Sequence, residues 1–181
     1  MRFIKKIEGP RLYLSPFDQN GGETLSLWVR WMNDPAVAEM YGGRQNNASV
    51  ENAKKTLGGL QGRRFDVVLS EGDLPVGHAS LHDVDHLNRN AFVGIFISGE
   101  EHRGRGYGAE AIKLMLGYAF LTQNLHCVAL SVHADNLAAI ACYKKSGFRE
   151  SGRRIEWIYK NGGYVDKVYM EILDREYLAG K

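Results

Sequence analysis

The feature that most constrains the fold is a glycine-rich turn, Arg103–Gly108, placed between a strand pattern over 91–97 and an amphipathic helix. In that helix, apolar residues follow the spacing of one buried face: Ile112, Met115, Leu116, Ala119 and Phe120. A further strand pattern, over 128–132, comes after the helix. The sequence therefore predicts a strand–helix–strand unit within a mixed sheet that carries helices on its faces.

The remaining segments predict a strand, two helices and two strands before this unit, and a helix and two final strands after it. The predicted strands are 11–14, 65–69, 76–84, 91–97, 128–132, 155–159 and 164–173. The predicted helices are 24–32, one that begins at 49, one after Gly106, and 136–145. Asn33-Asp34-Pro35 is expected to end the first helix. We expect a single domain over 1–181, because no linker divides the chain.

The composition excludes several classes of protein. Apolar residues make up 44% and charged residues 24% of the 181, which argues against wholesale disorder. A net charge of +2 excludes a strongly basic nucleic-acid binder by bulk charge but not a local basic patch, and we expect no nucleic-acid partner. The most apolar segment, 114–121, is far shorter than the roughly 20 residues of a membrane span, so we expect no membrane partner. No signal peptide is evident at the start, and only Cys127 and Cys142 occur, which favours a reducing cytoplasm.

The chemistry of the glycine turn predicts an anion site. Backbone N–H groups at the start of a helix are unpaired and carry positive partial charge. Glycines remove side chains that would hold an anion away, and Arg103 and Arg105 add positive charge. The turn therefore indicates that a phosphate or diphosphate binds there, without naming the ligand.

Other interpretations of this turn are open. The string Gly104-x-Gly106-x-x-Ala109 also fits a dinucleotide fingerprint, but Ser98–His102 separates the strand from the first glycine. A phosphate loop of the NTPase type is excluded, because no Gly-Lys-Ser/Thr follows. A plain flexible turn with solvated arginines is the third interpretation.

A second motif lies in the segment 136–148. Asn136 and Tyr143 are seven positions apart and share one helix face, so both side chains can point into the same cleft. Taken separately, Asn136 is also a candidate helix N-cap, and Tyr143 a half-buried core aromatic.

Together the two motifs resemble the GNAT superfamily of acetyl-CoA-dependent N-acetyltransferases. The first matches the family's Arg/Gln-x-x-Gly-x-Gly/Ala turn at Arg103, Gly106 and Gly108. The second matches its Asn-x-x-Ala-x-x-x-Tyr-x-x-x-Gly-Phe pattern at Asn136, Ala139, Tyr143, Gly147 and Phe148. The segments 31–35 and 159–166 are similar to the branch that holds ribosomal-protein N-terminal acetyltransferases and spermidine N-acetyltransferases. The resemblance implies the GNAT fold, an α/β (α+β) fold with a mixed, mostly antiparallel sheet of about seven strands and helices on both faces.

The resemblance also implies roles for particular residues. Pantetheine would lie as an extra strand along the backbone of Ile95, Phe96 and Ile97, and the pyrophosphate on the amides of Arg103, Gly104, Arg105, Gly106, Tyr107 and Gly108. Asn136 would lie beside the cofactor. Tyr143 would be the general acid, since a phenol of pKa about 10 can protonate a thiolate whose acid is near 8.5. Acetyl-CoA would be the co-substrate, a primary amine the acceptor, and no metal is expected.

The acceptor amine must lose a proton before it attacks. At pH 7 this costs about 4.6 kcal/mol for a lysine-like amine but only about 1 kcal/mol for an α-amino group. The branch often carries a glutamate where this chain has Phe92, which leaves His82, Asp83 and Glu100 as candidate bases. The missing carboxylate favours an α-amino or other low-pKa acceptor, which is a protein N-terminus or a small-molecule amine. The alternative acceptor, spermidine or another polyamine, is disfavoured by the segment 23–64, which holds four acidic and six basic residues.

Further interpretations concern metal, thiol chemistry and assembly. His78, His82 and His86 suggest a metal site, but residues i and i+4 of a strand lie about 13 Å apart, so exposed strand and turn histidines are favoured. Cys142 beside Tyr143 suggests an acetyl-cysteine intermediate, but helical neighbours point about 100° apart, so direct transfer is expected. A different class of function is a catalytically silent module that binds acyl-CoA. The sequence is compatible with a homodimer but does not establish one.

Overall fold

The computed structural model describes residues 3–18, 22–41, 48–57 and 63–180. Its strands are β1 (Ile7–Glu8), β2 (Leu12–Pro16), β3 (Arg64–Leu69), β4 (Leu74–Asp85), β5 (Asn90–Ile97), β6 (Cys127–His133), β7 (Arg149–Lys160) and β8 (Gly163–Leu173). Its helices are α1 (Gly22–Met32), α2 (Pro35–Tyr41), α3 (Val50–Leu57), α4 (Tyr107–Gly117), α5 (Leu137–Lys145) and α6 (Asp174–Ala179). A 3-10 turn (Glu100–His102) precedes α4, and a π-helical turn (Tyr118–Thr122) follows it.

The strands form an eight-stranded sheet in the order β1-β2-β3-β4-β5-β6-β8-β7. β5 pairs with β6 in parallel, whereas β1–β2, β2–β3, β3–β4, β6–β8 and β7–β8 are antiparallel. The predicted mixed, mostly antiparallel fold is confirmed. The sheet has eight strands rather than about seven because Ile7 and Glu8 pair with Leu14 and Tyr13, and a two-residue strand is too short to show an alternating pattern.

Two helices were not predicted. Asn33-Asp34-Pro35 ends α1 as expected, but the same residues also begin α2. Asp34 accepts a hydrogen bond from the N–H of Ala36 at 2.9 Å, and Pro35 takes the first helical position, where its missing N–H costs nothing. At the other end of the chain, Glu176 accepts the N–H of Leu173 at 2.8 Å and closes the first turn of α6.

The chain divides into two compact units by its internal contacts. The first contains residues 1–80 and 95–114. Its core joins α1, α2 and α3 to β5 through eight buried side chains: Leu25, Trp28, Trp31, Met32, Val37, Ala53, Leu57 and Phe96. Burial of these aromatic and aliphatic groups holds the end of β5, and hence the start of the glycine turn, in place.

The second unit contains residues 81–94 and 115–181. β6 pairs with β8 without interruption from Cys127↔Leu173 to His133↔Lys167. β7 lies at the edge of the sheet and begins at Arg149, six residues before the predicted start. That the whole chain is one domain stays a prediction. Among the helices of the described ranges, none has the length and apolar character needed to cross a membrane.

Candidate active site

The glycine turn adopts a backbone conformation that requires glycine. Gly104 has φ 71° and Gly106 has φ 84°, in the left-handed region where a Cβ is strained. A Cβ built on Gly104 would meet nothing within 4 Å, so open space surrounds that part of the turn. The glycines therefore determine the path of the main chain into α4, and the outer surface of the turn at Gly104 is uncovered.

Five of the six backbone amides of the turn, those of 104–108, are unpaired within the part of the chain that the structure describes. Arg103 donates its N–H to Glu100 O at 3.1 Å, and the next backbone donor to find a partner is Glu110, to Gly106 O at 3.1 Å. The amides of 104–109 between them make no hydrogen bond within the described residues. Those of 106–109 are the orphan donors of a helix start, and those of 104–108 are five of the six amides that the resemblance predicts to bind the pyrophosphate.

Arg103 is the exception among the predicted phosphate ligands. Its N–H is already used, and its guanidinium Nε donates to the carbonyl of Ile97 at 3.2 Å. Arg103 therefore ties the turn back to the end of β5. The predicted anion site narrows to the amides of 104–108.

The end of β5 is anchored by the side chain of Phe96 and by a close approach of its backbone to β4. Phe96 is buried and packs edge-on against Trp31, with ring centroids 5.7 Å apart. A Cβ on Gly77 of β4 would lie 2.2 Å from Phe96 O, so only glycine lets the backbones of β4 and β5 come this close. Phe96 is therefore committed to the core, and its ring is not offered to a ligand that lies along 95–97.

The parallel ladder between β5 and β6 is short. It joins Asn90, Ala91 and Phe92 to Cys127, Val128 and Ala129, and these are its only pairs in the described strands. Beyond that point Val93 and Gly94 have no partner in β6, although both strands continue. β6 keeps its ladder with β8 to its end.

Asn136 is the N-cap of α5, as its alternative interpretation predicted. Its side-chain Oδ1 accepts the N–H of Ala139 at 3.1 Å, which satisfies one orphan donor of the helix. That bond does not involve the Nδ2 amide. Tyr143 is half-buried on the same helix, and its ring lies edge-on to Phe148 with centroids 5.9 Å apart.

The candidate bases differ in their surroundings. His82 Nδ1 lies 3.0 Å from Asp83 Oδ2, and the imidazole stacks on Phe92 with ring centroids 5.8 Å apart. The side chain of His82 is 35% exposed, so the ring is accessible. Glu100 belongs to the other unit, where it is exposed on the 3-10 turn.

The expectation of exposed histidines is wrong for His78. Its side chain is fully buried in β4, opposite Asp66 of β3, and its Nδ1 lies 4.0 Å from Asp66 Oδ1, too far for a hydrogen bond. Burial lowers the pKa of His78 and raises the pKa of Asp66, because both charged forms lose their hydration. The strand period could not show this, because residues 76–80 of β4 are all buried, so the side chains on both faces of this part of the strand are covered.

Two further groups bear on the chemistry. Burial raises the pKa of the Cys142 thiol, which disfavours the reactive thiolate. Within residues 3–18, 22–41, 48–57 and 63–180, no group of three or more His, Cys, Asp or Glu side chains could hold a metal ion.

No local sequence signal indicates the residue that holds the turn from outside. Arg11, immediately before β2, donates from Nη1 to the carbonyl of Arg105 at 2.9 Å and from Nε to Glu110 at 2.8 Å. Ninety-nine positions separate Arg11 from Glu110, so only the folded chain brings them together.

Comparison with known proteins identifies the family. Residues 11–149 match the family model described as Acetyltransferase (GNAT) domain. The chain belongs to the GNAT acetyltransferases. It is an acetyl-CoA-dependent N-acetyltransferase of the GNAT fold, which confirms the predicted family, fold, enzyme class and co-substrate.

The relatives of this GNAT chain include spermidine N-acetyltransferases and a putative ribosomal N-acetyltransferase. It is 35% identical over 167 residues to the spermidine N(1)-acetyltransferase of Vibrio cholerae serotype O1, covering 90% of this chain and 88% of the relative. It is 29% identical over 159 residues to the putative ribosomal N-acetyltransferase YdaF of Bacillus subtilis, covering 88% and 83%. The solved spermidine N-acetyltransferase from Vibrio cholerae in complex with CoA and spermine superposes with a TM-score of 0.82 at 27% identity, over 93% of this chain and 98% of that one.

Proposed function

We propose that this enzyme transfers the acetyl group of acetyl-CoA directly to a primary amine, with the diphosphate of the cofactor held by the amides of 104–108. The observation that carries this proposal is the row of unpaired backbone amides from 104 to 108. Gly104 and Gly106 of this row adopt left-handed backbone conformations just before α4. Such donors converge on an anion at little cost, because the fold has already left them without partners. The pantetheine arm would then follow the backbone of Ile95, Phe96 and Ile97.

We assign the general acid to Tyr143. The neutral amine nitrogen attacks the thioester carbonyl, the C–N bond forms, and the nitrogen gives one proton to the general base. The C–S bond breaks as the tetrahedral intermediate collapses. The leaving thiolate takes the phenolic proton of Tyr143, and the resulting phenolate is reprotonated from solvent. Asn136 would contribute its Nδ2 amide beside the cofactor, while its Oδ1 continues to cap α5.

We assign the general base to His82. With Nδ1 directed to Asp83, the neutral imidazole carries its accepting lone pair on Nε2, the arrangement that general bases use. Phe92, where the branch often has a glutamate, supports the face of this ring. His82→Gln should lower kcat, and added imidazole should restore part of it; His86→Gln, at an exposed turn position, is the matched control. If imidazole restores nothing and His82→Gln turns over like the control, the base is not His82.

The acceptor that we propose first is an α-amino group, such as a peptide N-terminus. Its low pKa suits a site without the usual glutamate. A polyamine is the second candidate, and the 35% identity to a spermidine acetyltransferase supports it equally. We also propose a cytoplasmic enzyme that assembles at least as a homodimer. A Vibrio cholerae spermidine N-acetyltransferase, 26% identical to this chain, has been solved as a dodecamer.

The decisive experiment measures thiol release from acetyl-CoA with a panel of amines. The panel should hold peptides with small first residues, the same peptides with a blocked N-terminus, spermidine and free amino acids. Release with the unblocked peptides alone supports the first acceptor, and release with spermidine alone supports the second. Binding of CoA without release for any amine would instead indicate the silent acyl-CoA-binding module. Calorimetry that shows no heat with millimolar CoA would overturn the proposed cofactor site.

A further inference from the structure

We infer that Arg11 is a positioning residue of the cofactor site: together with Glu110 it holds the glycine turn in the shape that aims its amides outward. The inference rests on the proposed function, since it concerns how the turn holds the cofactor diphosphate. Its contacts all lie within the first unit, between the β1–β2 turn, the glycine turn and the first turn of α4.

The first step is the contact between Arg11 and the turn itself. Nη1 of Arg11 donates to the carbonyl oxygen of Arg105 at 2.9 Å. In a planar trans peptide, the carbonyl of one residue and the N–H of the next point in opposite directions. A guanidinium that holds the carbonyl of Arg105 therefore directs the N–H of Gly106 away from Arg11. Gly106 lies at the centre of the row of unpaired amides.

The second step is how Arg11 is itself held. Its Nε donates to Glu110 Oε2 at 2.8 Å, and its backbone N–H donates to Glu110 Oε1 at 2.8 Å. The N–H of Leu12 reaches the same Oε1 at 3.3 Å. The carboxylate is only 12% exposed, so these bonds are more strongly constrained than those of an open surface pair. Glu110 thus joins both the main chain and the side chain of Arg11 to α4.

The Arg11–Glu110 pair is closely surrounded by neighbouring residues. A Cβ on Gly9 would lie 3.0 Å from Glu110 Oε1, and a Cβ on Gly106 would lie 3.3 Å from Nη2 of Arg11. The guanidinium also lies over the ring of Tyr107, 5.0 Å from its centroid. Arg11 and Glu110 are therefore closely packed against the backbone, Arg11 at Gly106 and Glu110 at Gly9.

The charges make a distinct prediction. Glu110 lies in the first turn of α4, where a carboxylate is favourable to the helix but unfavourable to a bound diphosphate. Arg11 neutralises that carboxylate. Removal of Arg11 alone therefore leaves both a loosened turn and an uncompensated negative charge, whereas removal of Arg11 and Glu110 together leaves only the loosened turn.

The test compares thioesters with and without the diphosphate. In Arg11→Met, we expect the KM for acetyl-CoA to rise about tenfold or more, the effect of one lost hydrogen bond to a charged group, while kcat at saturation is kept. Turnover of acetyl-pantetheine, which lacks the diphosphate, should be unchanged. Arg11→Lys should fall between, because it keeps the charge and loses the fork. Arg11→Met/Glu110→Gln should recover part of the affinity.

Arg89→Met is the matched control. Arg89 also donates from Nε to a carbonyl, that of Asn124 at 2.8 Å, but it belongs to the second unit and should leave the KM for acetyl-CoA unchanged. If wild-type enzyme fails to bind CoA, the proposed function is wrong. If wild-type binds CoA and Arg11→Met binds it equally well, or loses acetyl-pantetheine turnover to the same degree, the positioning role of Arg11 is wrong.

Discussion

The glycine turn and helix α5 carry the two halves of the proposed chemistry with different parts of the polypeptide. The turn offers main-chain N–H groups, which the described chain leaves without partners. α5 offers side chains, and both have structural contacts as well: Asn136 caps the helix, and Tyr143 packs on Phe148. A main-chain site depends on backbone shape and tolerates most side-chain changes, whereas a side-chain site depends on single atoms. Substitutions should therefore affect binding at the turn and turnover at α5.

The largest effect should come from α5. Tyr143→Phe removes only the phenolic hydroxyl, and a general acid contributes roughly 10²–10⁴ in rate, so we expect kcat to fall by about a hundredfold or more. The dissociation constant of CoA, measured by calorimetry, should stay within about twofold. Tyr177→Phe removes the same atom from α6 of the same unit and is the matched control. Full activity of Tyr143→Phe with a true acceptor would show that Tyr143 is not the general acid. The proposed contrast between binding at the turn and turnover at α5 would then be wrong.

Substitutions in the glycine turn should weaken acetyl-CoA binding and leave turnover nearly unchanged. Gly106→Ala places a Cβ at φ 84°, where strain is about 1–2 kcal/mol, so we expect the KM for acetyl-CoA to rise about tenfold with little change in kcat. Gly72→Ala introduces the same strain at φ 75° in the β3–β4 turn, where nothing lies within 4 Å. A loss of thermal stability in both variants, with weaker acetyl-CoA binding only in Gly106→Ala, is the expected outcome. Equal binding in both would show that the turn does not hold the cofactor.

The unit that contains the glycine turn also buries the Asp66–His78 pair. The shifted pKa values of this pair should make the stability of the protein depend on pH. Burial lowers the pKa of His78 below its usual 6.5, so the unfolded chain binds a proton there that the folded chain refuses. Stability should therefore fall as pH drops below about 6.5, by at most about 1.4 kcal/mol per pH unit. Asp66 acts in the opposite sense: because its pKa is raised, its contribution is present below about pH 3.8 and is lost as pH rises.

Urea unfolding at several pH values tests this expectation. His78→Gln cannot titrate, so its stability should fall less steeply than that of the wild type between about pH 6.5 and pH 5. The nearby cation Arg64 also lowers the pKa of His78, and Arg64 is therefore kept unchanged in the variant. His86→Gln, at an exposed position, is the control. A slope that is the same in wild type and His78→Gln contradicts the buried neutral histidine.

Asn136 separates the two kinds of role within one residue. Asn136→Asp keeps a good N-cap but loses the Nδ2 donor, whereas Asn136→Ala loses both and should cost about 1 kcal/mol of stability. We expect the KM for acetyl-CoA to rise in both variants and the melting temperature to fall only in Asn136→Ala. An unchanged KM in Asn136→Ala would make Asn136 a cap and nothing more.

The smallest effect should come from the neighbour of Tyr143. Because burial raises the pKa of the Cys142 thiol, direct transfer does not use it, and Cys142→Ala should keep kcat within about twofold. Mass spectrometry of wild-type enzyme mixed with acetyl-CoA, without acceptor, should show no acetylated protein. A covalent adduct that disappears in Cys142→Ala, together with lost turnover, would establish an acetyl-enzyme pathway instead.

The elements that sequence alone predicted well are those whose signals are local. The glycine turn is indicated by closely spaced glycines, and α4 and the Asn136–Tyr143 helix are indicated by residues at the helical period. Each of these signals lies within fewer than about fifteen consecutive residues. β1 and α6 were missed because two strand residues and a six-residue helix carry too little periodicity. α2 was missed because the residues that end α1 also begin it.

The exposed face of β7 was not predictable from its residues. Ile155, Trp157 and Tyr159 alternate as though one face were covered, yet they are 77%, 55% and 67% exposed. The reason is the position of β7 at the sheet edge and the register shift between Arg154 and Ile158, neither of which has a local sequence signal.

What the sequence by itself determined is the chemistry of short stretches: glycines at 104 and 106 because only they tolerate the left-handed backbone, and a helix that begins at Asn136 because its side chain caps it. What only the tertiary structure decided are the pairs that span long stretches of chain. Arg11 meets Glu110, and Asp66 meets His78, across 99 and 12 positions. Such contacts depend on strand order and register, because folding brings distant residues together through the burial of whole faces and not through any pattern near either residue.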